Sequence, residues 1–443
     1  MTQPHQITQN TSPKSNHAAS DSSVVASDSR VTTSIPDAPS LDAGDKMLIA
    51  NGKPQLLGKS SSQLESLMRE MGFPAFRGRQ IAAWIYKRGA ASFDDMNDLP
   101  RALRERLAST HALAFPDVTT RMESRDGSAK LLLQMGDGER IETVRLPFEN
   151  RLSVCVSSQA GCAMACAFCA TGLGGFRRNL STAEIIAQPI LASRIDDKRI
   201  DDSTRRVPRM TNGELEARDA NSSIAAPFGS NRQSSISHIV FMGMGEPLLN
   251  VSNVLESIGL MHDEMGIPQR HITVSTVGIL AGIERLASAQ LQVTLAVSLH
   301  APDDDLRHRL IPTSTKTRVS DIVGAAKNYV RQTGRRVTFE YVVLGGVNDA
   351  PQMARRLAAL CRGWPCHVNL IPWNAVPDAR LENLAFNAPD SGALREFRGI
   401  LENSGVAVTQ RVQRGADVAA ACGQLRALDN DKERRAGIAL VAR

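Results

Sequence analysis

The sequence predicts an α/β protein: a curved parallel sheet in the form of a partial (βα)6 barrel, preceded by a small helical domain and a β-hairpin. Three observations predict it. Six strand-like stretches, rich in β-branched and aliphatic residues, recur between residues 152 and 373. Helix-patterned stretches run between them, the alternation expected of parallel βαβ units. Upstream, apolar residues at helical spacing over 60–110 give way to two strand-like runs around Gly136-Asp137-Gly138, a hairpin turn signal.

The elements follow in order. Residues 1–45 are rich in Ser, Thr, Asn, Asp and Pro and read as a disordered tail. Residues 46–115 form the small helical domain, with SSQLESLMREMGF, RGRQIAAWIYKRGA and LPRALRERLAST as its helices. Arg77, Arg79, Lys87, Arg88, Arg101, Arg104 and Arg106 decorate it, either as a solvated helical surface or as a nucleic-acid face. Residues 116–150 are the hairpin linker: SAKLLLQM and RIETVRLP, the second carrying Glu142. Residues 151–410 are the partial barrel, with strands expected at 152–158, 237–243, 271–277, 292–300, 335–344 and 367–373. Ser181 and Glu184 have capping-box spacing before the first barrel helix. Residues 195–235 are polar, turn-rich and nearly charge-balanced, an expected surface insertion. Residues 411–443 form a C-terminal segment carrying Cys422.

Composition narrows the function classes. The chain has 443 residues, 42% of them hydrophobic but only 4% aromatic, so aliphatic side chains must fill the core. A net charge of +6 permits a polyanionic partner. The N-terminus lacks the apolar stretch of a signal peptide, and no apolar run is long enough to cross a bilayer. The expected location is the cytoplasm, with no membrane partner. There the seven cysteines read as metal ligands, reactive thiols or small core residues rather than as a disulfide scaffold.

Cys162, Cys166 and Cys169 fall in GCAMACAFCATG, just after the first barrel strand, where active groups of such folds sit. The spacing departs from the paired Cys-x2-Cys of structural zinc sites and from the four-cysteine run of ferredoxins. Three thiolates can ligate three irons of a 4Fe–4S cubane and leave the fourth iron open for a small molecule. A zinc site completed by a distant His, or incidental core cysteines, remain the alternatives at this point. Gly243-Met244-Gly245-Glu246 also ends a strand, and its glycines allow close approach of a ligand to the backbone. Ser275, Ser298, His300 and Asn374 offer polar groups at further strand ends.

The Cys-x3-Cys-x2-Cys loop resembles the signature of the radical S-adenosylmethionine (SAM) enzymes. FMGMGEPLLN, STVG, SLHAP, GGVNDAP, NLIPWN and RGADVAAACGQL resemble the RlmN-type dual-specificity RNA adenine C2 methyltransferases, over about residues 60–435. The resemblance implies a radical SAM barrel and one 4Fe–4S cluster on Cys162, Cys166 and Cys169. It implies SAM, two molecules per turnover, held by Gly245, Glu246, Ser275, Ser298, Leu299, His300 and Asn374. The implied substrates are an adenine in the peptidyl-transferase centre of large-subunit ribosomal RNA and the tRNA adenine 3′ of the anticodon. An electron donor such as flavodoxin and a monomeric state are implied as well.

The same resemblance gives roles to two more thiols. C2 of adenine is electrophilic, so direct transfer of a methyl cation to it is unfavourable. In the resembling family the thiol matching Cys422 takes a methyl group from one SAM. A second SAM yields the radical that activates this methyl group for addition to C2. The carboxylate matching Glu142 removes the C2 proton, and the thiol matching Cys155 releases the product through a transient disulfide. Without the resemblance, Cys155 and Cys422 read as buried small hydrophobes. Glu142 reads as a solvated carboxylate or a partner of Arg140 or Arg145. Cys361 and Cys366 match no functional position and read as core or helix-end residues. Two other functions stand beside this one: the related C8 adenine methyltransferase, and an iron–sulfur electron carrier or RNA-binding module without catalysis.

Overall fold

The computed structural model describes residues 49–50, 52–195 and 236–427. The expected tail and all but the first residue of the expected insertion lie outside them. The central element is a ten-stranded sheet in which every strand lies beside its neighbour in the chain. We number its strands β1 (Asp117–Glu123), β2 (Ala129–Gln134), β3 (Arg140–Phe148), β4 (Arg151–Cys155) and β5 (Ile236–Phe241). They continue as β6 (Ile272–Thr276), β7 (Thr294–Ser298), β8 (Val337–Val343), β9 (Cys366–Pro372) and β10 (Ala407–Gln410). β1 to β4 pair antiparallel, and β4 to β10 pair parallel.

All six expected barrel strands are present, and the sheet holds more. β10 extends the parallel part at one end, and β1 extends the hairpin into a three-stranded meander at the other. Both are edge strands. β1 has no buried residue, so its sequence DVTTRME lacks the one-sided apolar alternation that marks a half-buried strand. β10 is four residues long and likewise mostly exposed. The hairpin turn forms where expected, with Gly138 at a φ of 89° that a side chain would resist.

Most barrel helices are amphipathic and bury one face against the sheet, whereas the helix Thr182–Ser193 is buried on all sides. The helix Thr182–Ser193 starts with the full capping box: Ser181 Oγ accepts from Glu184 N–H, and Glu184 accepts from Ser181 N–H. Further helices run at Val251–Asp263, Leu280–Ser288, Val319–Thr333, Pro351–Cys361 and Ser391–Asn403. The last of these was not expected from the sequence. The N-terminal helices Ser61–Glu70, Phe76–Tyr86 and Arg101–Thr110 share one continuous apolar core with the barrel. Gly78 permits their close crossing, since a Cβ there would stand 2.3 Å from Glu65 N.

The core is aliphatic, as composition requires. Its largest aromatic members satisfy their polar tips: Tyr329 donates to Val293 O at 2.9 Å and Tyr341 to Asn348 O at 2.8 Å. Among the described residues, no helix is long and apolar enough to cross a membrane.

Candidate active site

The parallel strands end on one rim, and the cysteine loop closes over it. A cavity of about 130 Å³ under that loop is lined by Cys162, Cys166 and Cys169. Gly245, Glu246, Ser275, Ser298, His300 and Asn374 form the opposite wall, and Cys422 also reaches it. Ten of the thirteen residues singled out in the sequence therefore face one space.

The three thiols are close enough to feel one another. Burial raises Cys166 well above the ordinary thiol range, and the neighbouring Cys169 and Cys162 add to it. Burial pushes Cys162 up to about 12. A bound cation reverses such costs, because thiolates bind metal. Among the described residues no three His, Cys, Asp or Glu side chains converge tightly enough for a single ion. Three thiols spread around a cavity suit a polynuclear cluster, and the donor set is the one iron–sulfur chemistry uses.

The facing wall is built from backbone constraints. Gly245 has a φ of 102°, and a Cβ there would stand 2.5 Å from the Gln159 side chain. Gln159 Oε1 in turn accepts Glu246 N–H at 2.8 Å. Glu246 is buried, and its oxygens accept Leu248 N–H at 3.0 Å and Val277 N–H at 2.8 Å. Burial raises its carboxyl from 4.5 to about 7 against those bonds. Ser275 and Ser298 hydroxyls stand 3.4 Å apart. His300 is buried at a φ of 60°, and its ring meets Phe168 edge-on at 4.8 Å. Burial lowers its imidazole to about 3, so it is neutral. Nδ1 accepts from Val342 N–H at 3.0 Å, which leaves the proton on Nε2.

Leu299 is not among the residues lining this cavity. Its side chain is fully buried in the core, and its N–H and C=O bond to Glu340 O and Ala301 N–H. It supports the rim from behind, because adjacent residues of an extended segment face opposite sides. Glu142 lies outside both cavity linings. It is buried beside Lys130 Nζ, 3.0 Å from Oε1, and Oε2 accepts Arg426 N–H at 2.8 Å. Lys130 lies on the neighbouring strand β2, and no spacing along the chain marks it as a partner.

A second chamber of about 490 Å³ fills the barrel interior below the first. Cys155 lines it, and Cys422, Glu340, Met242 and Asn374 line both. Arg411 stands there too, directly after β10. Burial raises Cys155 to about 12, and Arg411 opposes this. Burial likewise raises Cys422, again against Arg411. Burial disfavours the Arg411 charge, but Cys422, Glu340 and Cys155 more than compensate and hold it protonated. One guanidinium therefore serves both thiols. Sequence reading missed Arg411, Gln159, Lys130 and Arg307. Arg307 alone left a signal: it sits between Leu306 and Leu310 on the buried face of the helix Asp304–Leu310. It donates to Ser314 Oγ and to Val277 O beside the cavity.

The segment 415–426 lies across the rim as a strap. Asn374 Nδ2 donates to Cys422 O at 2.9 Å, Ala170 N–H to Gly423 O at 2.8 Å, and Thr171 Oγ1 to Leu425 O at 2.5 Å. On the meander side, Lys130 Nζ donates to Ala419 O at 3.1 Å and Gly415 N–H to Asp126 at 2.9 Å. Cys422 is thereby held between the cysteine loop and the end of β9. Cys361 and Cys366 lie on the outer side of the barrel, packed between the helix Pro351–Cys361 and β9.

Comparison with known proteins agrees with this architecture. Residues 54–113 match the model of the ribosomal RNA large subunit methyltransferase N-terminal domain, and residues 231–358 match that of the radical SAM superfamily. A probable dual-specificity RNA methyltransferase RlmN of Thermosynechococcus vestitus is 44% identical over 84% of this chain and 98% of that protein. Its namesake in Gloeobacter violaceus is 41% identical over 84% of this chain and 94% of that protein. The crystal structure of a radical SAM methyltransferase from Sphaerobacter thermophilus superposes with a TM-score of 0.72 at 39% identity. It covers 84% of this chain and 99% of that one. With three cysteines around one cavity and relatives matched along nearly their whole length, the chain belongs to the RlmN family of radical SAM RNA methyltransferases, whose cofactors are a 4Fe–4S cluster and SAM.

Proposed function

We propose that this protein methylates C2 of adenine in large-subunit ribosomal RNA and in tRNA at the adenine 3′ of the anticodon. The reading has the reaction pass through a methyl group carried on Cys422, in the cytoplasm, with an external one-electron donor of the flavodoxin kind. The observation that carries it is the position of Cys422, on the boundary of both cavities, with Cys155 in the larger one. An electron carrier or a plain RNA binder has no use for two spare thiols placed in this way.

Cys162, Cys166 and Cys169 would hold the cluster. Gly245, Glu246, Ser275, Ser298, His300 and Asn374 would hold SAM, the Glu246 carboxylate facing its ammonium. Bound there, cluster and SAM supply a methyl group and, from a second SAM, a hydrogen-abstracting radical. Cys422 then carries the activated carbon to C2 and bonds the RNA to the protein. Glu142 takes the C2 proton. For this the strap must shift, since Arg426 N–H now occupies one of its oxygens. Cys155 attacks the sulfur of Cys422: the S–S bond forms as the C–S bond breaks, the adduct gives up its unpaired electron to the external one-electron carrier, and the departing carbon takes up a proton to become the methyl group. Such attack needs thiolate character, which the Arg411 guanidinium favours.

Anaerobic reconstitution with SAM, reductant and each RNA, followed by mass spectrometry of nucleosides, tests the reading. The expected product is 2-methyladenosine. Its absence from both RNAs overturns the proposal, and 8-methyladenosine would favour the C8 reaction. Cys155→Ala is expected to accumulate a covalent protein–RNA adduct through Cys422, seen as a shifted band that survives denaturation. Clean turnover by that variant contradicts the role given to Cys155.

A further inference from the structure

The chamber inside the barrel contains a polar chain whose direction can be read atom by atom. Asn369 Nδ2 donates to Glu340 Oε2 at 2.8 Å. Thr409 Oγ1 donates to Asn369 Oδ1 at 3.1 Å. The hydroxyl of Thr409 is thereby committed as a donor, so His367 Nε2, 3.1 Å from it, must be the donor to Thr409. All four side chains face the same chamber.

This order leaves the Glu340 carboxyl facing the cavity as an acceptor. Oε2 is taken by Asn369, and the amide cannot turn over without breaking its bond from Thr409. Glu340 Oε1 has no hydrogen bond among the described residues. The residue is 5% exposed and lines both cavities, as Cys422 does. Oε1 therefore stays open to a donor that enters the chamber, and hydrogen bonds to a carboxylate are among the stronger ones.

The chamber also has a cationic far end. Arg151 opens β4, and Arg414 follows β10; both guanidiniums lie over the Phe148 ring, at 4.3 and 4.4 Å. Arg336 immediately precedes β8 and lines the same space. A nucleotide entering base-first from that end would leave its phosphates among these arginines. A volume of about 490 Å³ is within the range of small-ligand pockets.

We propose that Glu340 reads the exocyclic amine of the target adenine, its Oε1 accepting an N6–H. The inference rests on the adenine reading above and deepens it. On the Watson–Crick edge, C2 and the N6 amine flank N1. A base that presents this edge to the junction therefore offers C2 to Cys422 and its amine to Glu340. Guanine and hypoxanthine carry an acceptor at position 6 and would meet the carboxylate oxygen with another lone pair.

The test measures RNA affinity of the cluster-loaded protein, separately from methylation. Anticodon stem–loop RNAs carry adenosine, purine riboside or inosine 3′ of the anticodon. The wild type is expected to bind the adenosine RNA about tenfold tighter than the other two, the worth of one hydrogen bond to a charged group. In Glu340→Gln the side-chain oxygen must accept from Asn369, so the amide nitrogen faces the base as a donor. The preference for adenosine over inosine should then vanish or reverse. Thr409→Val, which frees the Asn369 amide to turn, should reduce the preference while keeping affinity for the RNA. It also provides a second reading should Glu340→Gln unfold. Unchanged discrimination in these variants, or a wild type that methylates adenosine yet binds all three RNAs alike, overturns this inference alone. A wild type that binds none of them overturns the RNA reading as well.

Discussion

Glu246 is buried in the wall of the smaller cavity, and burial penalises its charge. On the proposed reading this carboxyl meets the SAM ammonium. The folded carboxyl sits near 7, above its ordinary 4.5. The folded state therefore binds this proton more tightly than the unfolded chain does. The stability it contributes is complete below about 4.5 and is lost as pH rises through about 7. Chemical denaturation of SAM-free protein should show stability falling by up to about 3 kcal/mol across this window. Glu246→Gln should flatten the fall, and saturating SAM should oppose it in the wild type. A pH profile identical in wild type and Glu246→Gln would mean that the carboxyl is not buried as described. Arg411 solves a related problem for Cys155 and Cys422 by bringing a charge of the favourable sign into the same interior.

At the scale of elements, the strap decides when the site is complete. Each of its hydrogen bonds is worth about 1 kcal/mol net, while ordering a residue costs about 1–2 kcal/mol. Such a segment is held closed by the sum of a few bonds and can open without disturbing the sheet. Asn374→Ala removes the bond to Cys422 O. Hydrogen exchange at 420–426 should then quicken by about tenfold, with β7 and β8 amides unchanged. Equal exchange in both proteins would show that Asn374 does not anchor the strap. The N-terminal helices carry a related lesson about charge. The arginines that look like an RNA face in the sequence are partly neutralised: Arg79 pairs with Glu65, and Arg88 with Asp98 at 2.9 Å. Helical spacing reveals which residues are exposed, but not which acid across a helix pair answers each base.

At the scale of the whole molecule, the strand–helix alternation was legible because each parallel strand keeps an apolar face under the helices, alternating with chamber-facing positions such as Thr338, Glu340, His367 and Asn369. The cysteine loop and the strand-end motifs were legible as local runs, and the sheet carries those runs to one rim. β1 and β10 escaped because edge strands need no apolar stripe. Arg411, Lys130 and the Glu340–Asn369–Thr409 chain escaped for a different reason. Their meaning lies in partners far away in sequence, and no spacing along the chain reveals a contact such as Lys130 to Ala419.

The sheet in which each strand lies beside its predecessor has a consequence for synthesis. Nothing in it waits for a later strand to be inserted between two earlier ones. A chain that folds from its N-terminus as it leaves the ribosome can add strands one at a time, from β1 to β10. The cysteine loop and the wall facing it come before Cys422 in that sequence. Cys422 is thus the last residue of the site to arrive, after both walls of the cavity it lines have been synthesised.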